Sequence, residues 1–324
     1  MGGIGRSASH PGGDAMTQPA VKPSLARSPA AWMTGALIGF CAAALSMRGL
    51  STRFDPMEAN LARSAGGLLC VLAFMAAARQ RPRAGSWRNV RAHLVRNSFH
   101  WVGALLWATS VATLPLATVF SLEFTTPIWV AILGAAFLGR RLSAACVGGL
   151  LLGFVGVLIV VAPSPGSIDR DAVLPLATAV FFALTILMTK ELTKRNGAAN
   201  IVLWMMATQT VANAACVAAT PGLEATWEKL SAGGPELWLL PSLVLGGLVS
   251  QFCLTKALEN GNEVAVMTLD FLRLPLIAAL GYLLYGEEVG LHTVLGGGAI
   301  LAAVAVVTVL GKPGAEPVKA ATAA

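Results

Sequence analysis

The sequence predicts an all-α membrane protein with ten transmembrane helices, arranged as two inverted five-helix repeats. Of its 324 residues, 56% are hydrophobic and only 12% are charged, whereas about 25% charged residues is usual in soluble domains. The mean hydropathy is +0.70. The apolar residues form continuous runs close to the roughly 20 residues that a membrane helix needs, without the alternating polarity of barrel strands.

Each half of the chain also carries one carboxylate inside an apolar segment, with a proline just beyond it. The carboxylates are Glu123 and Asp270, and the prolines are Pro127 and Pro275. Because five spans per repeat is an odd number, the second repeat is predicted to cross the membrane in the opposite sense. Inverted repeats with polar groups near the midplane are typical of transporters.

Ten apolar runs define the predicted spans, and five of them fall in each half. They cover residues 31–49, 60–78, 97–113, 116–138, 142–162, 172–190, 199–219, 237–257, 264–285 and 289–310.

The spans divide the chain into two repeats, a linker and two tails. The first repeat is predicted over residues 31–162 and the second over residues 172–310, with an external linker at 163–171. Residues 1–30 are rich in Gly, Pro, Ala and Ser and predict a disordered cytoplasmic tail. Residues 311–324 are expected to form a second, short cytoplasmic tail.

The net charge of +7 reflects topology. Most Lys and Arg residues fall in the segments predicted to face inward, and this asymmetry places both termini in the cytoplasm. A nucleic-acid partner is therefore not expected. The arginine-rich stretch from Arg79 to Arg96 joins spans two and three, and we interpret it as a cytoplasmic anchor attracted to anionic lipid.

Ionisable groups inside a bilayer are costly, which makes them functional candidates. Asp270 and Arg273 are three residues apart, so they share a helix face and are predicted to pair. Glu123 has no counter-ion in its own helix and is the better candidate for a proton carrier. Arg63 in span two is expected to neutralise Glu123 if the two helices are neighbours. The alternative is an internal salt bridge that only stabilises packing, but the recurrence of the carboxylate favours handling of a substrate or proton.

The two prolines are predicted to act as hinges, because proline interrupts helical hydrogen bonds and frees backbone carbonyls. Proline is also common in membrane helices without such a role. Further polar and aromatic residues are expected to line a substrate pocket together with the four charged residues, since aromatic rings stack on planar or cationic groups. They are Asn60, Trp107, Trp204, Gln209 and Gln251.

Several kinds of chemistry lack their sequence signatures. The chain contains no Gly-x-x-x-x-Gly-Lys-Ser/Thr loop for ATP and no nucleophile elbow. The four histidines have no metal-ligand spacing, and the five cysteines show no Cys-x-x-Cys pattern. No cofactor, no metal and no enzymatic activity are therefore expected.

These residues resemble the paired EamA-type domains of the drug/metabolite transporter superfamily. The resemblance covers about residues 31–310 and departs at Gly139-Arg140-Arg141, where family members usually have Gly-Glu-Arg. Its other motifs are Phe124-Thr125-Thr126-Pro127, Gly153-Phe154-Val155-Gly156-Val157, Asp270-Phe271-Leu272-Arg273 and Tyr285-Gly286-Glu287-Glu288.

The resemblance implies a secondary carrier of two inverted five-helix repeats in a bacterial inner membrane. The stretch from Asp270 to Arg273 is similar to a branch that includes uptake carriers for S-adenosylmethionine and riboflavin, while the superfamily also holds exporters of amino acids and drugs. The predicted function is thus alternating-access transport of a small organic metabolite resembling S-adenosylmethionine or an amino acid. The alternatives are a proton-antiporting exporter, a non-transporting scaffold and a membrane enzyme. Expected partners are the substrate, the bilayer and protons as the coupling ion, with a monomer or homodimer as the assembly.

Overall fold

The computed structural model describes residues 28–114, 116–139, 142–161, 173–219, 222–285 and 291–310. Within these ranges all regular structure is helical. The predicted linker at 163–171, the tail at 311–324, nearly all of the tail at 1–30, and the motif residues Arg140-Arg141 and Gly286-Glu287-Glu288 lie outside the described residues.

The described helices follow one another along the chain. They are α1 (Pro29–Leu50), α2 (Pro56–Ala77), α3 (Trp87–Thr113), α4 (Leu116–Glu123), α5 (Thr126–Leu138), α6 (Ala144–Val161), α7 (Val173–Thr193), α8 (Ala198–Ala218), α9 (Gly222–Ser231), a 3-10 helix (Pro235–Trp238), α10 (Leu239–Asn260), α11 (Glu263–Asp270), α12 (Arg273–Tyr285) and α13 (Leu291–Leu310).

Five stretches of the described chain are long and apolar enough to cross a membrane: α1, α2, α7, α8 and Pro235–Asn260. Shorter apolar helical stretches lie at Thr126–Leu138, Ala144–Ile159 and Val294–Val306. The described residues thus form a helical membrane protein with several spans. The count of ten spans stays a prediction.

Predicted spans four and nine are each broken into two half-helices. The first break separates α4, which ends at Glu123, from α5, and the second separates α11, which ends at Asp270, from α12. Each break lies just before a proline, which lacks a backbone N–H and so removes the helical hydrogen bond that would otherwise cross the break.

The carbonyls that the prolines leave without their helical donor are not free, contrary to the prediction. The Thr126 hydroxyl donates to the Glu123 carbonyl at 2.6 Å. The Leu274 N–H donates to the Phe271 carbonyl at 3.2 Å. Local donors take these carbonyls because a buried carbonyl without a partner is costly.

Helices of the first half pack against helices of the second half, in pairs that correspond to one another. Helix α1 packs along α10, α7 along α3, α2 on α8 and α6 on α13. Exchanging α1 with α7, α2 with α8, α3 with α10 and α6 with α13 reproduces the same set of contacts, as a two-fold relation between the halves requires.

Equivalent basic residues cap equivalent helices. Arg48 in the last turn of α1 donates to the Val111 and Leu114 carbonyls at the end of α3, at 2.7 and 3.2 Å. Lys190 near the end of α7 donates to the Leu258 and Gly261 carbonyls at the end of α10, both at 2.7 Å. Cations are favourable at helix C-termini, where carbonyls lack helical partners.

The two caps lie at opposite ends of the bundle. Arg96, in the first half of α3, hydrogen-bonds Thr189 near the end of α7, so α7 runs antiparallel to α3. We therefore call the two sides of the molecule the Arg48 end and the Lys190 end.

The crossings α1–α10 and α3–α7 are equivalent, but the two helices approach each other more closely at α1–α10. A Cβ added at Gly39 of α1 would lie 2.7 Å from the Gly246 carbonyl oxygen and 2.7 Å from the Ser250 nitrogen of α10. A Cβ added at Gly103 of α3 would instead meet the Phe182 ring of α7, at 2.9 Å. Glycine therefore brings two backbones together at α1–α10, whereas a side chain separates the helices at α3–α7.

Candidate functional site

Three charged side chains meet at the two helix breaks, and we call them the central triad. Arg273 Nη2 lies 3.1 Å from Glu123 Oε1 and 3.0 Å from Asp270 Oδ2. Glu123, Asp270 and Arg273 are 3%, 8% and 3% exposed. The predicted Asp270–Arg273 pair is thus confirmed, and Glu123 joins it from the other half of the chain.

The local chain geometry explains why the carboxylates need this arginine. Glu123 and Asp270 are the last residues of α4 and α11, where the helix dipole is unfavourable to an anion. Two buried carboxylates also repel each other. The Arg273 guanidinium offsets both effects, because it contacts each carboxylate directly.

Aromatic rings complete the surroundings of the triad. The Arg273 guanidinium carbon lies 5.0 Å from the ring centroids of both Phe40 and Phe124, within the range of cation–π attraction. The Trp107 indole N–H donates to Glu123 Oε2 at 3.1 Å. Trp107 was predicted as a pocket residue, and the structure places it against the triad.

The triad still has hydrogen-bonding capacity. Asp270 Oδ1 and Arg273 Nε have no hydrogen-bond partner in the described part of the chain. Buried polar atoms are normally paired, so one acceptor and one donor remain for a further group.

A cavity of about 50 Å³ adjoins the triad. That volume suits a few water molecules and is smaller than the roughly 300 Å³ or more of a small-molecule site. Admission of an organic solute would require the surrounding helices to separate. The lining residues come from α1, α3, α4, α5, α7, α10, α11 and α12, and the polar ones are Arg96, His100, Glu123, Thr126, Thr185, Thr189, Gln251, Thr255, Asp270 and Arg273.

Arg63 does not contact Glu123, so that predicted pairing is wrong. Its Nε donates to Asn60 Oδ1 and its Nη2 to Gln209 Oε1, both at 3.1 Å. The reason is that α2 packs on α8, which presents Gln209, while Arg273 occupies Glu123. The Gln209 amide nitrogen lies 3.2 Å from His100 Nδ1, and this contact links the Arg63 network to the cavity wall.

Two other predicted pocket residues differ in where they lie. Gln251 lines the cavity. Trp204 is not among the lining residues. Its ring stacks on His93, with centroids 5.4 Å apart, and its indole N–H donates to the Arg83 carbonyl at 3.2 Å. These contacts hold Trp204 near the start of α3.

Sequence reasoning missed Arg96, which had been assigned to a lipid-facing anchor. Arg96 is 2% exposed and lines the cavity. Its Nε donates to Thr189 Oγ1 at 2.9 Å and its Nη1 to Asn97 Oδ1 at 3.0 Å. A helical polar stripe was available as a signal, since His93, Arg96, Asn97 and His100 follow the i, i+3, i+4, i+7 spacing of one helix face.

The sequence model of the EamA-like transporter family matches the chain twice, over residues 27–162 and 172–309. The chain therefore belongs to the EamA-like transporter family. The family and its named relatives are transporters rather than enzymes.

Three relatives named for a substrate are each less than 30% identical to this chain over the matched residues. A riboflavin transporter of Rhizobium johnstonii is 29% identical over 217 residues, which are 67% of this chain and 68% of that protein. A pseudopaline exporter of Pseudomonas aeruginosa is 28% identical over 242 residues, or 74% of this chain and 82% of the exporter. An S-adenosylmethionine uptake transporter of Rickettsia felis is 22% identical over 195 residues, or 60% and 64% of the two chains.

A solved crystal structure also resembles this fold. It superposes with a TM-score of 0.66, covers 88% of this chain and 99% of its own, and is 17% identical in sequence. This likeness concerns the fold alone.

Proposed function

We propose that the chain is a secondary transporter that moves a small organic metabolite across a bacterial inner membrane by alternating access. The central triad is the observation that carries this proposal. Three ionisable side chains buried among apolar helices are costly, and packing alone does not require them. Their position where two half-helices end matches the way secondary transporters build substrate sites.

The proposed substrate site comprises the triad, Trp107 and Gln251. Asp270 Oδ1 and Arg273 Nε, which lack partners, are the groups expected to bind the solute. Arg63, Asn60 and Gln209 form a network behind the cavity wall and reach it through His100. We propose that they orient the wall rather than bind the solute.

The proposed motion depends on the relation between the halves. Ten spans in two inverted repeats, with both termini in the cytoplasm, would allow each repeat to adopt the conformation of the other and so expose the site to the opposite side. Pro127 and Pro275 are the proposed hinges, because each half-helix turns at the residues preceding them. In this orientation the Lys190 end faces the cytoplasm.

The substrate is proposed to resemble S-adenosylmethionine or an amino acid. Both carry a cationic group, which the net negative triad would attract, and a carboxylate. Riboflavin and pseudopaline enter as test solutes because similar proteins are named for them. Export by proton antiport is the second candidate, supported by Glu123 as a buried carboxylate able to carry a proton and by the similar exporter.

The test is uptake into proteoliposomes that contain the purified full chain. Labelled S-adenosylmethionine, riboflavin and several amino acids are offered with and without an imposed pH gradient, and empty liposomes serve as the control. Accumulation or exchange of unchanged solute supports the proposal. Chemical conversion of the solute would indicate an enzyme, and neither uptake nor conversion across the panel would favour a scaffold; either result contradicts the proposal.

A further inference from the structure

Arg96 is a buried cation with only neutral partners among the described residues. Its hydrogen bonds go to the Thr189 hydroxyl and the Asn97 side-chain carbonyl, and no described carboxylate forms an ion pair with it. A buried charge without a counter-ion is strongly destabilising, because its lost hydration is not replaced by attraction to an opposite charge. Retention of such a group in an apolar bundle calls for a compensating anion.

The cavity that Arg96 lines has two electrically different ends. The triad at one end holds two carboxylates and one guanidinium, so its formal charge is negative. Arg96 is positive and lies away from the triad, beside Thr189 and about three helical turns before Trp107, the α3 residue that contacts Glu123. His100, Thr185 and Gln251, which also line the cavity, are hydrogen-bonding groups without a formal charge. A second guanidinium, that of Arg63, lies behind this wall and has only neutral partners among the described residues. The Arg96 side of the cavity therefore favours negative charge.

The unused hydrogen-bonding capacity of Arg96 also favours an anionic ligand. Its Nη2 donates to no described atom, whereas Nε and Nη1 are occupied. A guanidinium held by two neutral partners, with its remaining N–H groups beside a cavity, is suited to a carboxylate or phosphate, for which arginine is the preferred ligand.

We propose that Arg96 binds an oxyanion of the transported solute, either a carboxylate or a phosphate. The solute is then an organic anion or zwitterion whose oxyanion lies toward the Lys190 end and whose donor or cationic group lies at Asp270. This inference rests on the proposed transport function and adds to it the charge class and orientation of the substrate.

Matched solute pairs test this charge class. S-adenosylmethionine is compared with its decarboxylated form, flavin mononucleotide with riboflavin, and amino acids with the corresponding amines. Two measurements are made for each solute: how well it inhibits counterflow exchange, and how far it raises the melting temperature of the protein. In the wild-type protein, the oxyanion-bearing member of at least one pair should bind at least about tenfold more tightly, the scale of one charged hydrogen bond. The pair that shows the preference distinguishes carboxylate from phosphate.

Three variants locate the effect. Arg96→Gln should abolish the preference, and Arg96→Lys should retain part of it because the charge is kept. Arg91→Gln is the matched control, since Arg91 is exposed on the same helix, and it should behave as wild type. The ligand-free Arg96→Gln protein should melt no lower than wild type, because the substitution removes an unpaired buried charge.

The outcomes separate this inference from the proposed function. Equal affinity for both members of every pair, or a preference that survives in Arg96→Gln, would overturn the role of Arg96 while transport stands. A large fall in the melting temperature of ligand-free Arg96→Gln would assign Arg96 to structure and overturn it as well. Absence of uptake of any solute by the wild-type protein contradicts the proposed function, and this inference with it.

Discussion

The two halves of the molecule repeat the same local features. In the first half, Arg48 near the end of α1 caps α3, and α4 ends at Glu123. In the second half, Lys190 near the end of α7 caps α10, and α11 ends at Asp270. The scaffold is therefore repeated down to single side chains. Among the residues that the structure describes, the buried cations are not repeated. The residue three positions after the carboxylate is Thr126 in the first half and Arg273 in the second.

This contrast separates two tasks. A scaffold with equivalent halves can adopt two equivalent conformations, whereas a solute with distinct ends needs a site whose ends differ. The first half contributes Arg63 and Arg96 to the interior, while the second contributes Arg273 together with the neutral amides Gln209 and Gln251. The crossings differ in the same way, because α1–α10 brings backbones together and α3–α7 leaves side chains, several of them polar, beside the cavity.

The largest effect is expected from removing the cation that both halves share. Arg273→Ala should lower the free energy of unfolding by about 3–5 kcal/mol, because it leaves two buried carboxylates without a counter-ion. Adding Glu123→Gln and Asp270→Asn to the same chain should recover most of this loss. Thermal unfolding in detergent measures both. If the triple variant were as unstable as Arg273→Ala, the contribution of Arg273 would not be electrostatic.

The two equivalent carboxylates are expected to differ in function. Glu123→Gln should retain counterflow exchange, since the amide oxygen can still accept from Arg273 and only the hydrogen bond from Trp107 is lost, but it should lose accumulation driven by a pH gradient. Asp270→Asn should lose both activities. Uptake is measured in proteoliposomes with and without the gradient. Gradient-driven accumulation in Glu123→Gln at the wild-type level would remove Glu123 as the proton carrier.

The two equivalent crossings should respond differently to one methyl group. Gly39→Ala should cost about 1–3 kcal/mol, because its Cβ meets backbone atoms of α10 that cannot move alone. Gly103→Ala should cost less, since the Phe182 ring can rotate away and the Phe181 Cβ, at 3.2 Å, needs only a small shift. Gly148→Ala is the control, because nothing lies within 4 Å of its Cβ. Melting temperatures that fall equally for Gly39→Ala and Gly103→Ala would argue against the difference in tightness.

The smallest effect is expected at the two helix caps. Arg48→Gln and Lys190→Gln should each lower stability by about 0.3–1 kcal/mol, the usual range for a cation at a helix C-terminus, and the two losses should be similar. The double variant should show their sum, because the residues lie at opposite ends of the bundle. A clear loss at only one of the two positions would contradict the functional equivalence of the caps.

The sequence predicted the parts of the fold that depend on local composition. Apolar run length located the helices, and proline located both breaks. The Asp270–Arg273 pair was predictable because three residues separate its members on one helix face. The Glu123–Arg273 contact was not, because its members lie 150 residues apart in the chain and meet only when the two broken helices come together.

Arg96 shows a second limit of sequence reasoning. The predicted third span began at residue 97, whereas α3 begins at Trp87. Arg96 therefore fell one residue outside the predicted span and was counted with the surface arginines that precede it. A span predicted from hydropathy alone ends where charged residues begin, but Arg96 faces inward, against Thr189.

The central claim is that the carboxylate at the second helix break binds the transported solute, and counterflow exchange by Asp270→Asn tests it most directly. Glu259→Gln is the matched control, since Glu259 is an exposed carboxylate on α10 paired with Lys256. We predict that Asp270→Asn inserts and melts as a folded protein but exchanges no solute above empty liposomes, while Glu259→Gln exchanges at the wild-type rate. Exchange by Asp270→Asn at the wild-type rate would contradict the claim.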